Sequence, residues 1–235
     1  MSFFTNIFHA ALYQPLFNAL VFLYDYIPGK DLGVAIIVLT ILLRFALYPL
    51  TLKALRAQKA LSDLQPKMKE IQERFKDNKD EASRKLLELY QKEKFNPLSA
   101  ILPILVQLPL LIALYSVFRN GLNIDQLSWL YGFVKNPGHI NQSFLGILNL
   151  GERSFIVALL SGVFQLIQSK QILALNPKPQ TGQASMIQSY TTYMFPILTV
   201  FITMRFPSAL GLYWITTSLC SIGQQWYFMR KFRKP

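Results

Sequence analysis

Residues 33–52, GVAIIVLTILLRFALYPLTL, decide the fold class of this chain, because they form an apolar run of 20 residues with one charged member, Arg44. At a rise of about 1.5 Å per residue, a helix of this length crosses the hydrocarbon core of a bilayer. A cation at that depth costs roughly 2.5–3.5 kcal/mol on insertion scales, so it is tolerated where it meets water or a partner. The run predicts a hydrated, functional arginine. The alternative, a side chain that snorkels to an interface, suits helix ends better.

The composition is that of a membrane protein. The chain is 52% apolar and 14% aromatic, and 15% of its residues are charged, against about 25% in a soluble domain. None of the 12 acidic residues lies inside any of the five long apolar runs, the first of which is 33–52. The one cysteine, Cys220, provides no disulfide framework. Residues 1–29 lack a basic start and a small-residue cleavage site, so we expect no signal peptide.

The apolar runs predict an all-α integral membrane protein with five transmembrane helices. The predicted spans are 31–52, 97–118, 155–175, 190–206 and 207–228. Residues 1–30 are apolar but interrupted by polar side chains, so we predict an external amphipathic helix in the interface and leave a further span as the alternative. The remaining segments are an external loop (119–154), a cytoplasmic loop (176–189) and a basic tail (229–235).

The basic residues of the loops predict the orientation. Residues 53–96, the loop near 170–189 and the tail together carry 18 Lys and Arg, and the opposite side carries five. Basic residues concentrate on the cytoplasmic side of membrane proteins. We therefore predict an external N-terminus and a cytoplasmic C-terminus.

Segment 53–96 is too charged to span. Its apolar residues recur at spacings of three and four and predict two amphipathic helices. The first seam is Leu61, Leu64, Met68, Ile71 and Phe75, and the second is Ala82, Leu86 and Leu89. We predict a cytoplasmic helical hairpin whose first helix is interrupted at Pro66. Its charged surface is interpreted as solvated, with a contact to lipid headgroups or a ribosome as the alternative.

Polar residues form stripes inside several spans. The stripes are Thr40, Arg44, Tyr48 and Thr51 in the first span, Ser161, Gln165 and Gln168 in the third, Tyr213, Thr217, Ser221 and Gln224 in the fifth, and Gln107 alone in the second. A polar group that faces lipid without a partner is costly. Such residues often bond neighbouring helices. Stripes on several helices, together with an unpaired arginine, instead favour a shared water-filled, positively charged groove.

The kinds of polar residue found in the predicted spans argue against catalysis. His9 and His139 lie outside the five predicted spans, so no serine–histidine dyad forms within them. No acid within these spans is placed to hold zinc or relay protons, and no glycine-rich phosphate loop is present. We expect neither an enzyme nor a bound cofactor or metal.

Three long segments resemble the YidC-type membrane protein insertases, relatives of the mitochondrial Oxa and chloroplast Alb proteins. They are TILLRFALYPLTLKALRAQKALSDLQPKMKEIQERF, NPLSAILPILVQLPLLIALY and MFPILTVFITMRFPSALGLYWITTS. The resemblance covers residues 30–229 and implies a five-span core around an open hydrophilic groove, with a cytoplasmic hairpin between spans one and two. Nascent membrane proteins would enter this groove as clients.

The resemblance also implies the client-binding residues. The groove arginine and its neighbouring threonine fall on Arg44 and Thr40, and the polar residue of the second span falls on Gln107. Client-contacting positions fall on Leu111, Ile202, Tyr213 and Trp214. Gln165 and Gln168 are added from the stripe on the third span. The large external domain and the lipid-anchor cysteine of other members are not seen, which fits a natural short form or a processed chain.

The sequence therefore predicts a non-enzymatic insertase and chaperone in the bacterial inner membrane. Its predicted partners are nascent membrane proteins and the bilayer, with a Sec translocon and the ribosome left open and no specific nucleic-acid sequence. A small anion channel or transporter that uses Arg44 for selectivity is the alternative function. An inverted repeat would favour that alternative, and none is visible. A structural assembly factor, a third reading, would not require a central arginine.

Overall fold

The computed structural model describes residues 3–96, 98–120, 124–175 and 183–232, most of them helical. In chain order the helical elements are α1 (Phe3–Phe8), a π-helical turn (His9–Tyr13), α2 (Gln14–Tyr26), α3 (Leu32–Ala46), α4 (Tyr48–Arg74), α5 (Lys79–Lys92), α6 (Leu98–Asn120), a 3-10 turn (Ile124–Trp129), α7 (Phe155–Leu175), α8 (Gln183–Arg205) and α9 (Ser208–Phe232). A short antiparallel hairpin, β1 (Ser143–Phe144) and β2 (Leu148–Asn149), lies between α6 and α7. The mostly helical chain agrees with the predicted all-α class.

Two described segments are long and apolar enough to cross a membrane. They are Thr5–Tyr26, with 22 residues, and Phe155–Leu173, with 19. A third is obtained when α3 and α4 are counted as one span bent by 62°. Val106–Arg119 and Thr192–Arg205 are shorter apolar helices. The five spans stay a prediction, and residues 97 and 176–182, where some predicted boundaries fall, lie outside the described residues.

The N-terminal helical segment packs closely against the rest of the protein. Phe17 and Val21 are fully buried. The buried Asn18 donates to the Trp129 carbonyl over 3.2 Å and accepts from the Tyr131 amide over 2.6 Å, which ties this segment to the loop after α6. Because the segment is also long enough to span, the interfacial placement of residues 1–30 stays a prediction.

The predicted first span, 31–52, is divided by a bend. Helix α3 ends at Ala46, and α4 begins at Tyr48 in a direction 62° away. Pro49 explains the break, because proline has no amide hydrogen to donate to the carbonyl four residues earlier but fits the first turn of a new helix. Arg44 consequently lies two residues from the end of α3, so its position in the helix does not argue against the snorkelling alternative.

Residues 53–96 form the rest of α4 and all of α5, and these two helices contact each other. The Tyr90 hydroxyl lies 3.8 Å from Met68 Sδ. Lys67 Nζ donates to Glu93 Oε1 and joins α4 to the end of α5. Pro66 does not interrupt the first helix as predicted, since α4 continues through it to Arg74. One missing backbone hydrogen bond has not ended this 27-residue helix.

The hydrophobic core joins the N-terminal segment to α3, α6 and α9, and the loop between α6 and α7 closes one end. Its fully buried members include Phe17, Leu20, Leu32, Ile36, Leu114, Val117, Leu150 and Leu210. The Leu150 carbonyl accepts from the Ala209 amide over 3.0 Å, and the Glu152 carbonyl accepts from the Ser208 amide over 2.7 Å. The loop is thereby fixed to the first turn of α9.

We expect the ion pair that joins α4 to the C-terminal end of α5 to make the hairpin sensitive to acid. The hydrogen bond from Lys67 lowers the pKa of Glu93 below its usual value, which is about 4.3. Because the pKa of this carboxyl is lower in the folded state, the pair stabilises the folded hairpin above the unfolded-state pKa of about 4.3. This contribution is lost as the pH falls through the folded-state pKa. We expect hydrogen exchange in α5, corrected for its intrinsic pH dependence, to quicken between pH 6 and pH 3.5.

Glu93→Gln should show the faster exchange already at pH 6 and lose most of the further change in acid. Glu88→Gln is the matched control, because Glu88 pairs with Lys85 inside α5 and joins no other helix. Equal exchange in the wild-type protein and Glu93→Gln at pH 6 would show that the pair does not hold the hairpin together.

Candidate functional site

Arg44 lies in the last turn of α3 and is only partly buried. A cation in this position is favoured by the partial negative charge at a helix C-terminus. The guanidinium interacts electrostatically with Tyr213 and Cys220 of α9. Across the part of the chain that the structure describes, no ion pair joins it to an acidic side chain. Among the described residues, no carboxylate therefore neutralises its charge.

The buried face of α3 brings Arg44 to α9. Ala35, Ile36 and Leu39 on this face are buried, and α3 packs against α9. Thr40 is also buried and donates to the Ile36 carbonyl over 2.6 Å. This bond satisfies the hydroxyl hydrogen within α3, so the contact of Thr40 with a client stays a prediction.

Tyr213 connects Arg44 to α6. Its ring is buried, and its hydroxyl accepts a hydrogen bond from Gln107 Nε2. Three predicted site residues from three helices, Arg44, Gln107 and Tyr213, are thus brought together. Leu111, one turn after Gln107 on α6, is half-buried against the hydrophobic core.

Trp214 points to a different helix from its neighbour Tyr213. Its indole Nε1 donates to Gln165 Oε1 of α7 over 2.9 Å. Gln168 is half-buried one turn further along α7, and Ile202 of α8 is half-buried against the core. Helix α9 therefore carries two adjacent polar contacts, one toward α3 and α6 and one toward α7. We call the residues of these contacts, Arg44, Gln107, Gln165, Tyr213 and Trp214, the α9 polar cluster.

A polar contact between two buried hydroxyls joins α7 to α8. One of its two residues, Thr203, was not predicted from the sequence. Ser161 and Thr203 are buried, and their hydroxyl oxygens lie 3.0 Å apart. Gly162 beside them has no room for a side chain, because an added Cβ would lie 2.2 Å from Val200 Cγ2. Thr203 did have a sequence signal that was missed, because Thr192, Thr199 and Thr203 recur at spacings of seven and four in this apolar helix, and all three are buried.

Further polar atoms on α7 and α9 are buried without a protein partner. Within the described residues, the side-chain oxygens of Gln171, Ser218, Gln224 and Gln225 accept or donate no hydrogen bond. Gln171 Nε2 does donate to the Ile222 carbonyl over 3.2 Å, so α7 and α9 are in contact here. Gln171 and Ser218 were not selected from sequence, although each continues a stripe at helical spacing. Buried oxygens of this kind require water or a polar ligand.

Comparison with known proteins, like the fold, indicates a membrane protein. The 60Kd inner membrane protein family matches residues 22–235. A membrane protein insertase YidC of Campylobacter jejuni is 34% identical over 221 residues, covering 94% of this chain and 38% of that protein. One from Francisella tularensis subsp. novicida is 33% identical over 201 residues, covering 86% of this chain and 33% of that protein. The chain thus spans between a third and two fifths of the length of these relatives.

The contact between Gln107 and Tyr213 can be measured with a double-mutant cycle. Gln107→Leu and Tyr213→Phe should each lower the unfolding free energy in detergent, and the double variant should lose less than their sum. Polar contacts between membrane helices couple by about 1 kcal/mol. Gln165→Leu with Trp214→Phe provides the matched cycle for the α7 contact. Additive losses in the first cycle would show that the two side chains do not interact.

Proposed function

Because this chain belongs to the 60Kd inner membrane protein family, which contains YidC-type insertases, we propose that it inserts membrane proteins into the bilayer without enzymatic chemistry. The family places the chain in the bacterial inner membrane. Client proteins and the surrounding lipid are its proposed partners. The orientation of the termini, with the N-terminus outside, stays a prediction that rests on the distribution of basic loops.

The observation that carries this proposal is Arg44 in the α9 polar cluster. The cation lies in an apolar helix beside Tyr213 and Gln107, with no paired carboxylate among the described residues. A structural arginine inside a membrane protein would normally be paired. An unpaired arginine remains available to attract a negatively charged group that enters from outside the protein.

The depth of Arg44 suits a role in transfer across the bilayer. Helix α3 has 15 residues, which gives a length of about 22 Å against a hydrocarbon core of about 30 Å. Arg44 is the thirteenth residue of α3, so it lies roughly 18 Å from the start of the helix. A polar segment that reaches Arg44 has only part of the hydrocarbon left to cross.

We infer that the groove works by hydration and charge. The unpartnered oxygens of Gln171, Ser218, Gln224 and Gln225 support water between α7 and α9. Acidic residues of a client are attracted to Arg44 while its polar segment passes. The client's apolar segment then moves along Leu111 and Ile202 into lipid, driven by the hydrophobic effect at about 25 cal/mol per Å².

An anion channel or transporter is the weaker proposal. It also uses a cation within the membrane, but both named relatives are insertases, and no contact described here favours conduction over insertion. A structural assembly factor would leave the unpaired charge unexplained. A Sec translocon and a ribosome remain predicted partners, and the basic hairpin of α4 and α5 is the part of the chain that would meet a ribosome.

Substitution of Arg44 tests the proposed charge. In liposomes, Arg44→Lys should retain most insertion of a client with an acidic outer segment, and Arg44→Ala should lose most of it. One charge pair at 4 Å in an effective dielectric of 20 contributes about 4 kcal/mol before desolvation is subtracted. A matched client with a neutral outer segment should lose less. Normal insertion of the acidic client by Arg44→Ala would contradict the mechanism.

Thiol labelling tests the proposed hydration. In a Cys220→Ser background, cysteines at Arg44 and Gln107 should react with a water-soluble reagent in liposomes. Leu42 is the matched control, because it lies on α3 close to Arg44 but faces outward, with 52% of its surface exposed. A cysteine there should meet lipid and stay unreacted. If positions 44 and 107 were as inert as position 42, the cluster would be a packed helix contact and not a groove.

A further inference from the structure

We propose that the tip of the hairpin β1–β2, formed by Leu145 and Ile147, is a lipid anchor that inserts into the membrane leaflet next to the start of α3. This inference requires the chain to be in the membrane but does not depend on insertase activity. It rests on where the hairpin is fixed, on the exposure of its tip, and on the backbone conformation of Leu145.

The hairpin is fixed to the first turn of α3. The Phe144 ring lies directly over Gly33, so that an added Cβ there would be 2.1 Å from Phe144 Cδ2. Asp31 holds the same two elements together. Its Oδ1 accepts from the Val34 amide over 2.9 Å and caps α3, and its Oδ2 accepts from the Leu145 amide over 2.6 Å. The tip is therefore held at the level where α3 enters the bilayer.

The tip exposes large apolar side chains. Leu145 is 63% exposed and Ile147 is 89% exposed, although Phe144 between them and the helix is half-buried. In water, both exposed side chains would be unfavourably hydrated. Such a pair at the end of a hairpin favours a covering medium, and the part of the chain that the structure describes does not supply one.

Leucine at position 145 does not stabilise the backbone of the turn. Leu145 and Gly146 have φ angles of 52° and 71°, and the Ile147 amide donates to the Phe144 carbonyl over 3.0 Å. Positive φ at both central residues is the type I′ turn, which favours Asn or Asp followed by Gly. Leucine is disfavoured in this conformation. Transfer of its side chain into hydrocarbon offsets that cost, whereas water does not.

Other exposed apolar residues at this end of the protein favour lipid as the occupant over a single protein partner. Phe155 and Ile156 begin the candidate span of α7 and are 64% and 70% exposed, and Tyr26 at the end of α2 is 74% exposed. Aromatic residues at helix ends are typical of the membrane interface. The hairpin tip extends a lipid-facing surface that the spans already present.

Spin-label accessibility tests the anchor. Ile147→Cys in a Cys220→Ser background, carrying a nitroxide and reconstituted in liposomes, should collide severalfold more often with oxygen than with a water-soluble nickel chelate. Lys135→Cys is the matched control, because Lys135 is an exposed polar residue of the same loop and should show the reverse preference. Nickel accessibility at position 147 equal to that at 135 would overturn the proposal. Protection of position 147 only after addition of a membrane-protein extract would also overturn it, in favour of a protein partner.

Leu145→Asn separates anchoring from folding. Asparagine suits the turn, so the thermal midpoint in detergent should not fall, while the label at position 147 should gain nickel accessibility. If the label remained as protected as in the parent, Leu145 would not anchor the tip. A fall in midpoint would mean that Leu145 stabilises the hairpin itself, which would overturn the argument from the turn.

Discussion

The positive charge of Arg44, partly buried in an apolar helix, is the constraint on which the candidate site depends. The Arg44 guanidinium has no carboxylate partner among the described residues, so its surroundings must provide dipoles, water or both. The C-terminal end of α3 supplies one such dipole, and Tyr213 of α9, which accepts a hydrogen bond from Gln107 of α6, interacts with the guanidinium. These groups belong to three helices, so the packing of α3 and α6 against α9 also determines what surrounds the charge.

The polar residues between α7, α8 and α9 divide into a closed and an open set. Ser161 and Thr203 bond each other at a contact made tight by Gly162, and they fasten α7 to α8. Toward α9, by contrast, oxygens of Gln171 and Gln225 remain buried without partners. Polar residues in membrane helices are often regarded as either helix contacts or groove lining. On α7, a hydroxyl bonded to α8 and a buried oxygen without a partner among the described residues occur in the same helix, and the groove proposed above depends on the second kind.

The sequence predicted those parts of the site that depend on periodicity and residue type. Arg44 was found because a charge in an apolar run is costly, and the stripe with Gln165 follows from 3.6 residues per turn. The separate partners of Tyr213 and Trp214 were not predictable, because they depend on how helices pack. The bend at Leu47 has a local cause in Pro49, yet Pro66 leaves α4 unbroken. Proline position alone does not decide between these outcomes, since tertiary contacts add to the local cost.

The bend at Leu47 has a mechanical consequence. Helix α4 continues unbroken for 27 residues beyond it, a length of about 40 Å, and the short α3 with Arg44 stands on the other side. The two helices meet at a single residue, Leu47, and most of α4 lies beyond the predicted span. Because the buried face of α3 is held in the hydrophobic core, we expect a tilt of the far end of α4 to be taken up at Leu47, next to Arg44. The hairpin of α4 and α5 is thus joined to the charge by continuous backbone, and only three residues separate Arg44 from the first residue of α4.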